Sequence, residues 1–179
     1  MGEAFVVRNL TPDNLKQAIQ LKIACWPEQL AGVAENDLSL AKEYAFWLDW
    51  MNTAEEHNDM RMLIGIFHEE KLAGAAFASF AEEHDCAQGG IELNGLWVDE
   101  GYRGRGLSVF LLRHIVDCYQ KKGKEKLVVY CHHYAPSNKF YRKLGGKVLR
   151  QDRQMAGALL VDIFEFDLKL LSASLGLLT

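Results

Sequence analysis

The sequence predicts an α/β (α+β) fold in a single domain, residues 1–179, with a mixed β-sheet flanked by helices. Apolar residues recur with a helical period in some segments and form short β-branched runs in others, which gives the order β α α β β β α β α β β. A hydrophobic content of 49% in 179 residues is enough to bury one core. Neither an internal repeat nor a Pro- or Ser-rich linker indicates a second domain.

The N-terminal elements are predicted to be a strand at residues 4–9 and two helices. Thr11 and Pro12 supply an N-cap and a first-turn proline, so the first helix begins there and runs to about Trp26. Apolar residues at helical spacing predict the second helix over residues 37–50. Both helices precede the main sheet.

The main sheet is predicted from three strands, at residues 62–68, 72–80 and 90–98, the first two of which form a hairpin. A helix over residues 106–122 then leads to a β-branched run at residues 126–131, which is typical of a parallel strand reached by a crossover helix. The remaining elements are a short helix and a final hairpin, at residues 137–144, 147–154 and 159–168.

The connection between the third of these strands and the following helix is rich in glycine and arginine. A glycine-rich turn that leads into a helix N-terminus points unpaired backbone N–H groups at one spot, and the helix dipole adds partial positive charge. Gly104 and Gly106 let an anion approach the backbone, while Arg103 and Arg105 can add charge-assisted hydrogen bonds. The segment therefore predicts a phosphate site, although it matches neither the P-loop spacing nor G-x-G-x-x-G.

Two separated motifs, at residues 98–108 (V-D-E-G-Y-R-G-R-G-L-S) and 137–145 (S-N-K-F-Y-R-K-L-G), resemble those of the GNAT superfamily of acetyl-CoA-dependent N-acetyltransferases. The first, V-D-E-G-Y-R-G-R-G-L-S at residues 98–108, follows the family's pyrophosphate-binding pattern V-x-P-x-Y-R-G-x-G, with Glu100 in place of proline and Ser108 in place of glycine or alanine. The second, S-N-K-F-Y-R-K-L-G at residues 137–145, is similar to the family's S-N-x-x-F/L-Y-x-K-x-G helix. Upstream of it, Tyr134 stands where many members have asparagine.

The resemblance implies a mostly antiparallel sheet of about seven strands flanked by about four helices, with a splay between the two central strands. Acetyl-CoA is then the co-substrate, with its pantetheine arm in the splay and its phosphates on the glycine-rich turn. For Asn138 a helix-capping role is the alternative. The residues assigned to acetyl-CoA on this basis are Leu96, Trp97, Val98, Arg103, Gly104, Arg105, Gly106, Leu107, Ser108, Asn138 and Tyr141.

Two residues are expected to catalyse the reaction. Tyr141 is the candidate general acid for the CoA thiolate, and packing on the core face of its helix is the alternative. Glu92 is the candidate base, because some family members carry a catalytic glutamate six residues before the position of Val98. On a regular strand Glu92 shares a face with Leu96 and Val98, unless a bulge at Gly95 changes the register. A water chain is one alternative base, and the others are His84, His132 and His133.

The acceptor is expected at the first two helices, which form the acceptor wall in relatives. Aromatic faces and carboxylates together suit a cationic amine, although aromatic residues at helical spacing also fill cores. Residues 1–99 carry a net charge of −11 and residues 100–179 one of +7, which would place the amine on one side and the phosphates on the other. The residues assigned to the substrate are Trp26, Tyr44, Trp47 and Glu43.

Composition limits the partners and the compartment. A net charge of −4 and a pI near 5.9 argue against non-specific nucleic-acid binding, and no apolar run approaches the roughly 20 residues that cross a bilayer. Four scattered cysteines without metal-ligand spacing favour a reducing, cytoplasmic compartment and no metal site. In some relatives the C-terminal strands form a dimer, so a homodimer through LLVDIFEFDLKLL is one alternative.

The reaction expected from these observations is acetyl transfer from acetyl-CoA to a small-molecule primary amine by direct attack in a ternary complex. A catalytically silent CoA-binding or regulatory module of the same fold is the alternative. A small kinase is not favoured, because the sequence lacks a P-loop lysine. Polyamines, aminoglycosides, amino acids, peptides and protein lysines all remain open as acceptors.

Overall fold

In the computed structural model, which describes residues 4–86 and 89–178, seven strands form one sheet flanked by five helices. The strands are β1 (Phe5–Asn9), β2 (Met62–His68), β3 (Lys71–Phe80), β4 (Ile91–Val98), β5 (Lys126–His132), β6 (Lys147–Gln154) and β7 (Leu159–Asp167). The helices are α1 (Pro12–Leu30), α2 (Leu40–Asn52), α3 (Leu107–Gln120), α4 (Pro136–Lys143) and α5 (Leu168–Gly176). The strand order is β1-β2-β3-β4-β5-β7-β6, and only β4 and β5 pair in parallel. The predicted mixed, mostly antiparallel sheet is confirmed.

Helix α1 is longer than predicted because it continues through Pro27. Pro27 has no N–H group, so the carbonyl of Ile23, four residues earlier, loses its helical partner. Nδ2 of Asn36 donates a hydrogen bond to that carbonyl at 3.1 Å. The connection between α1 and α2 thus replaces the missing hydrogen bond, and the helix extends by one more turn.

The C-terminal strand ends at Asp167, and a fifth helix follows it that the sequence analysis did not predict. The Asp167 carboxylate accepts a hydrogen bond from the N–H of Leu170 at 3.0 Å and caps α5. Leu168, Leu171 and Leu175 are buried in the same apolar cluster as α3. The end of the stretch proposed for dimerisation is therefore helical and packed inside the domain.

The sheet separates two apolar layers. Helices α1 and α2 cover one face, where the rings of Trp47 and Phe77 lie 4.9 Å apart. Helices α3, α4 and α5 cover the other face, where Tyr119 is fully buried and Tyr141 packs against Phe164. Within the described ranges, no helix is both long and apolar enough to cross a membrane.

The parallel strands β4 and β5 stay together over only three residue pairs. Their last pair is Leu93 with Val129, and beyond it the two strands separate. Every other neighbouring pair in the sheet is antiparallel and longer. The predicted splay between the two central strands is therefore present, and it opens a gap in the middle of the sheet.

Candidate active site

A cleft of about 430 Å³ opens where β4 and β5 separate. Its walls come from β4, the turn into α3, α4 and the last turns of α1. The lining residues that the sequence predicted as acetyl-CoA contacts are Leu96, Trp97, Val98, Arg103, Gly104, Gly106, Leu107, Ser108 and Tyr141. One continuous cleft thus brings together residues from both sequence motifs.

The end of the cleft at the N-terminus of α3 can accept an anion. Gly104 and Gly106 have φ angles of 78° and 74°, a left-handed conformation that favours glycine, and a Cβ at either position would meet open space. Gly106 is the N-cap of α3 and offers no capping side chain, whereas Thr11 and Ser39 cap α1 and α2. The first N–H groups of α3 and its dipole are left for an external acceptor, which fits the diphosphate of coenzyme A.

The two arginines of this turn differ in their surroundings. Arg103 faces α1, where its Nη1 lies 2.7 Å from Oε1 of Glu28 and its Nε donates to the last carbonyl of β4 at 3.2 Å. Cys25 lies beside this ion pair, with Sγ 3.7 Å from Nη2 of Arg103, and burial raises the pKa of its thiol. Arg105 is outside the cleft lining, with its guanidinium 5.4 Å from the centre of the Tyr102 ring.

Tyr141 stands at the inner end of the cleft. Helix α4 positions it, and its ring packs against Phe140 and Phe164. Burial raises the pKa of its phenol, so the hydroxyl keeps its proton at neutral pH. A protonated phenol at this place can donate its hydrogen to a group in the cleft.

Asn138 does not line the cleft, and the predicted contact with acetyl-CoA is not supported by its position. Its Nδ2 donates to Oδ2 of Asp162 at 2.9 Å, and its Oδ1 accepts from Nε of Arg142 at 2.8 Å. Burial opposes the charge of Asp162, but hydrogen bonds from Gln151, Asn138 and His133 lower its pKa to about 2. This network ties α4 to β6 and β7 and fixes the helix that carries the candidate acid.

An inner chamber of about 90 Å³ continues the cleft into the gap between β4 and β5. Gln29, Leu96 and Tyr141 line both spaces, so the chamber and the cleft adjoin each other. Trp26 and Tyr130 form part of its wall. Of the four residues predicted to bind the acceptor, Trp26 is the one that reaches this space.

A bulge in β4 decides where Glu92 points. Consecutive residues of β3 oppose Leu93 and Gly95, so β4 contains one extra residue between them. Ile91 and Leu93 pack in the cluster with α3, and after the bulge Leu96 does so as well. Glu92 therefore points to the α1 side of the sheet, whereas Leu96 points to the α3 side. On a regular strand the two side chains would share one face.

Glu92 lies directly before the splay, where it pairs with Val128. Burial raises the pKa of its carboxyl to about 7, and the charges of Asp85 and Glu82 act in the same direction. A carboxyl that titrates near neutral pH is suited to general base catalysis. The next two residues, Leu93 and Asn94, line the chamber, and Glu92 lies on the same side of the sheet as Tyr130. Its own side chain is not part of the chamber lining.

The other residues predicted to bind the acceptor lie between α1, α2 and the sheet. Trp47 is buried there, and its Nε1 donates to Oε2 of Glu43 at 3.1 Å. Glu43 also forms an ion pair with Lys22, and the Tyr44 hydroxyl donates to the carbonyl of Pro12 at 3.0 Å. Their helical spacing reflects packing, so their positions do not support the predicted role in acceptor binding.

The histidines considered as alternative bases do not line the chamber. Nδ1 of His132 donates to the carbonyl of Gln29 at 2.9 Å, and His133 contacts Asp162. His84 is largely exposed, 3.6 Å from Asp85. In the part of the chain that the structure describes, no group of three or more His, Cys, Asp or Glu side chains could hold a metal ion.

Tyr130 and Gln29 in the chamber wall were not predicted from the sequence. A signal for Tyr130 was present, because alternation along KLVVYC places it on the same face as Val128. Gln29 lies beyond Pro27, where no helix was predicted, so its side chain could not be placed relative to the cleft.

The solved structures that share this fold include the following three. One is the PaiA N-acetyltransferase from Thermoplasma acidophilum in complex with coenzyme A, with 21% identity, a TM-score of 0.72 and coverage of 92% of this chain and 99% of that one. Another is YncA, a putative acetyltransferase from Salmonella typhimurium with acetyl-CoA, with 17% identity, a TM-score of 0.67 and coverage of 92% and 94%. The third is the ribosomal-protein-alanine N-acetyltransferase from Brucella melitensis, with 17% identity, a TM-score of 0.66 and coverage of 90% and 99%.

The sequence itself was compared with family models and with curated proteins. No curated protein matches it. The model of the acetyltransferase (GNAT) family matches residues 16–146, which include most of α1, the glycine-rich turn and the whole of α4. The chain therefore belongs to the GNAT family and is an acetyl-CoA-dependent N-acetyltransferase.

Proposed function

We propose that this chain acetylates a small cationic primary amine by direct attack on acetyl-CoA in a ternary complex. The observation that carries the proposal is a path formed by two adjoining spaces, the cleft at the anion-accepting turn and the chamber, which share Tyr141 in their walls. Glu92 lies one residue before Leu93, which lines the chamber. Because the path passes through the gap in the sheet, acetyl-CoA enters from the side of α3 and the amine from the side of α1. The two substrates meet in the chamber.

The residues around the chamber suit the steps of acetyl transfer. Glu92 takes a proton from the bound ammonium, with a water molecule as the relay, and the neutral amine attacks the thioester carbonyl. A backbone N–H near Leu96, where β4 no longer pairs with β5, stabilises the developing oxyanion. As the C–N bond forms and the C–S bond breaks, Tyr141 gives its phenolic proton to the leaving thiolate.

Charge on the α1 side favours a cationic acceptor. The charges of Asp85, Glu82 and Asp59 all raise the pKa of Glu92, and His84 is the group that opposes them. The same negative potential attracts an ammonium group, and the net charge of −11 over residues 1–99 extends this potential over the surface. The acceptor enters near the acidic half of the chain, whereas the phosphates bind in the basic half.

The test is thiol release from acetyl-CoA measured across a panel of amines, with Tyr141→Phe and Glu92→Gln beside the unmodified protein. We expect each variant to lose about 10²- to 10⁴-fold in kcat, because each removes one proton transfer. Acetyl-CoA binding measured by calorimetry should stay within a few fold, since neither side chain contacts the phosphate turn.

The alternative of a silent CoA-binding module gives a different result. It retains the heat of acetyl-CoA binding but shows no turnover with any amine. Absence of binding would contradict both readings, because both require the anion site at Gly106.

The surface and the cysteines support our proposals for the partner and the compartment. A homodimer formed by sheet extension would use β6, because β7 is already paired with β5 and β6 on its two edges. Strand β6 exposes Val148 and Leu149 at that free edge.

The four cysteines are free thiols, as expected of a protein that acts in the reducing cytoplasm.

A further inference from the structure

Tyr130 is the first residue of β5 beyond its pairing with β4. The last pair is Leu93 with Val129. Val129 packs in the cluster with α3, whereas Val128 and Tyr130 pack in the cluster that contains Trp26. Tyr130 therefore points toward α1 and stands in the chamber wall on the side from which the amine arrives.

The ring of Tyr130 is held by two charged residues from other parts of the fold. Its hydroxyl donates to Asp85 at 2.7 Å, and Nη2 of Arg150 lies 2.7 Å from Oδ1 of Asp85 and 3.0 Å from the Tyr130 hydroxyl. The Asp85 side chain is only 2% exposed. Because a shift of the ring would break hydrogen bonds to a buried charge, the ring is a rigid part of the wall.

Tyr130 contributes shape rather than a proton. Burial, followed by the hydrogen bond to Asp85, raises the pKa of its phenol to about 12. Its hydrogen is already donated to Asp85, so the hydroxyl is not available to the substrates. The aromatic ring is the part that the acceptor meets.

The chamber is a small, partly open space, so it limits the groups next to the reacting nitrogen. Its volume is about 90 Å³, whereas a cavity of about 150 Å³ holds one benzene molecule. The acetyl group and the reacting nitrogen must share this space between Trp26, Asn94 and Tyr130. An unbranched carbon next to the nitrogen needs the least room here, whereas a further substituent on that carbon needs space beside the fixed ring of Tyr130.

We propose that Tyr130 determines acceptor specificity and restricts the enzyme to amines carried on an unbranched carbon, –CH2–NH2. The inference rests on the proposed function and narrows its substrate class. Terminal aliphatic amines are accepted, including those at the end of a lysine-like chain. The α-amino groups of amino acids and peptides are rejected, because the carbon that bears their nitrogen is branched.

The experiment compares n-butylamine with sec-butylamine, two isomers of the same charge that differ only in branching at the reacting carbon. Thiol release from acetyl-CoA gives kcat/KM for each amine. For the unmodified enzyme we expect the ratio of the two values to favour n-butylamine by about 10- to 200-fold, the range that one misplaced methyl group produces in a closed pocket.

Three substitutions at Tyr130 locate the source of this ratio. Tyr130→Ala enlarges the chamber and should bring the ratio below about threefold by raising the rate with sec-butylamine. Tyr130→Phe keeps the ring without its tether and should give an intermediate ratio. Tyr130→Leu keeps apolar volume in case the alanine variant does not fold, and it should also lower the ratio. Tyr134→Ala is the matched control, because Tyr134 is 67% exposed and lies outside the chamber.

The outcomes separate this inference from the proposed function. If the active enzyme accepts both isomers equally, or if a folded Tyr130 variant keeps the original ratio, the role of Tyr130 is wrong and acetyl transfer to amines still stands. If no amine releases thiol although acetyl-CoA binds, the proposed function itself fails. Calorimetric binding of acetyl-CoA shows which variants are folded, since Tyr130 does not line the larger cleft.

Discussion

Glu92 is a carboxyl group in a position unfavourable to its own charge. Burial and the neighbouring charges of Asp85 and Glu82 raise its pKa from about 4.5 to about 7. The folded protein therefore binds more protons than the unfolded chain between these two pH values. Stability must fall as the pH rises through that window, and above it the ionised carboxylate leaves the fold weaker than a neutral side chain would. A residue that lowers stability in this way is typical of a site that needs the group for chemistry.

Glu92→Gln should raise the free energy of unfolding at pH 8 by about 2 kcal/mol, because glutamine keeps the shape and removes the buried charge. At pH 5, where the native Glu92 is mostly protonated, the difference should nearly vanish. Urea denaturation at the two pH values measures both quantities. Glu56→Gln, at an exposed position in a surface turn, is the control and should have no effect at either pH. Equal stability of the Glu92→Gln variant and the unmodified protein at pH 8 would contradict the burial argument.

At the scale of elements, α5 supports the helix that begins at the phosphate turn. Its Leu171 is 1% exposed in the cluster shared with α3, whereas the adjacent Leu170 is 70% exposed. Leu171→Ala should lower the free energy of unfolding by about 2–5 kcal/mol through lost burial and a residual cavity. Leu170→Ala should change it by less than about 0.5 kcal/mol. Chemical denaturation of the two neighbours tests whether the packing of α5 is as described, and equal effects would contradict it.

The strands and most helices were predictable because each carries a local signal. Period-two alternation, β-branched runs and turn residues mark the strands, and apolar spacing marks α1 to α3. The last turn of α1 was not predictable, since it depends on Asn36 reaching the carbonyl of Ile23. Helix α5 was hidden because its leucines continue an apolar strand, and the boundary depends on the cap at Asp167.

The parts of the candidate site that the backbone forms could be predicted from the sequence. The positions of side chains that depend on packing were less predictable. The glycine-rich turn and Tyr141 follow from motifs, and both line the cleft. The face of Glu92 depends on the bulge between Leu93 and Gly95, and a Cβ at Gly95 would lie 2.0 Å from the ring of Trp97. Gly95 and Trp97 belong to the same strand, but their spacing in the sequence does not reveal this contact, which forms only in the folded sheet. The same limit applies to Trp47, whose helical spacing fits a core as well as a binding wall.

Over the whole molecule, the acidic and basic halves meet at the cleft. Glu28 from the acidic half lies in the cleft wall beside Arg103 from the basic half, with 2.7 Å between Oε1 and Nη1. The two side chains are 48% and 40% exposed, so this ion pair is weak and responds to salt. If the phosphates of acetyl-CoA bind at the glycine-rich turn as proposed, they lie next to the Glu28 carboxylate and compete with it for Arg103.

Glu28→Gln should therefore lower the KM for acetyl-CoA by about two- to fivefold at low ionic strength, because it removes a negative charge from the anion site and frees Arg103. The difference in KM between the variant and the unmodified protein should shrink as the NaCl concentration is raised, since salt screens exposed charges over distances of about 10 Å at 0.1 M. Steady-state kinetics at several salt concentrations measures both trends. Glu70→Gln is the matched control, because Glu70 also pairs with an arginine, Arg8, at 3.0 Å but on an exposed hairpin outside the cleft. An unchanged KM would contradict the competition for Arg103, and a raised KM would mean that the Glu28 carboxylate holds Arg103 in the orientation that phosphate needs.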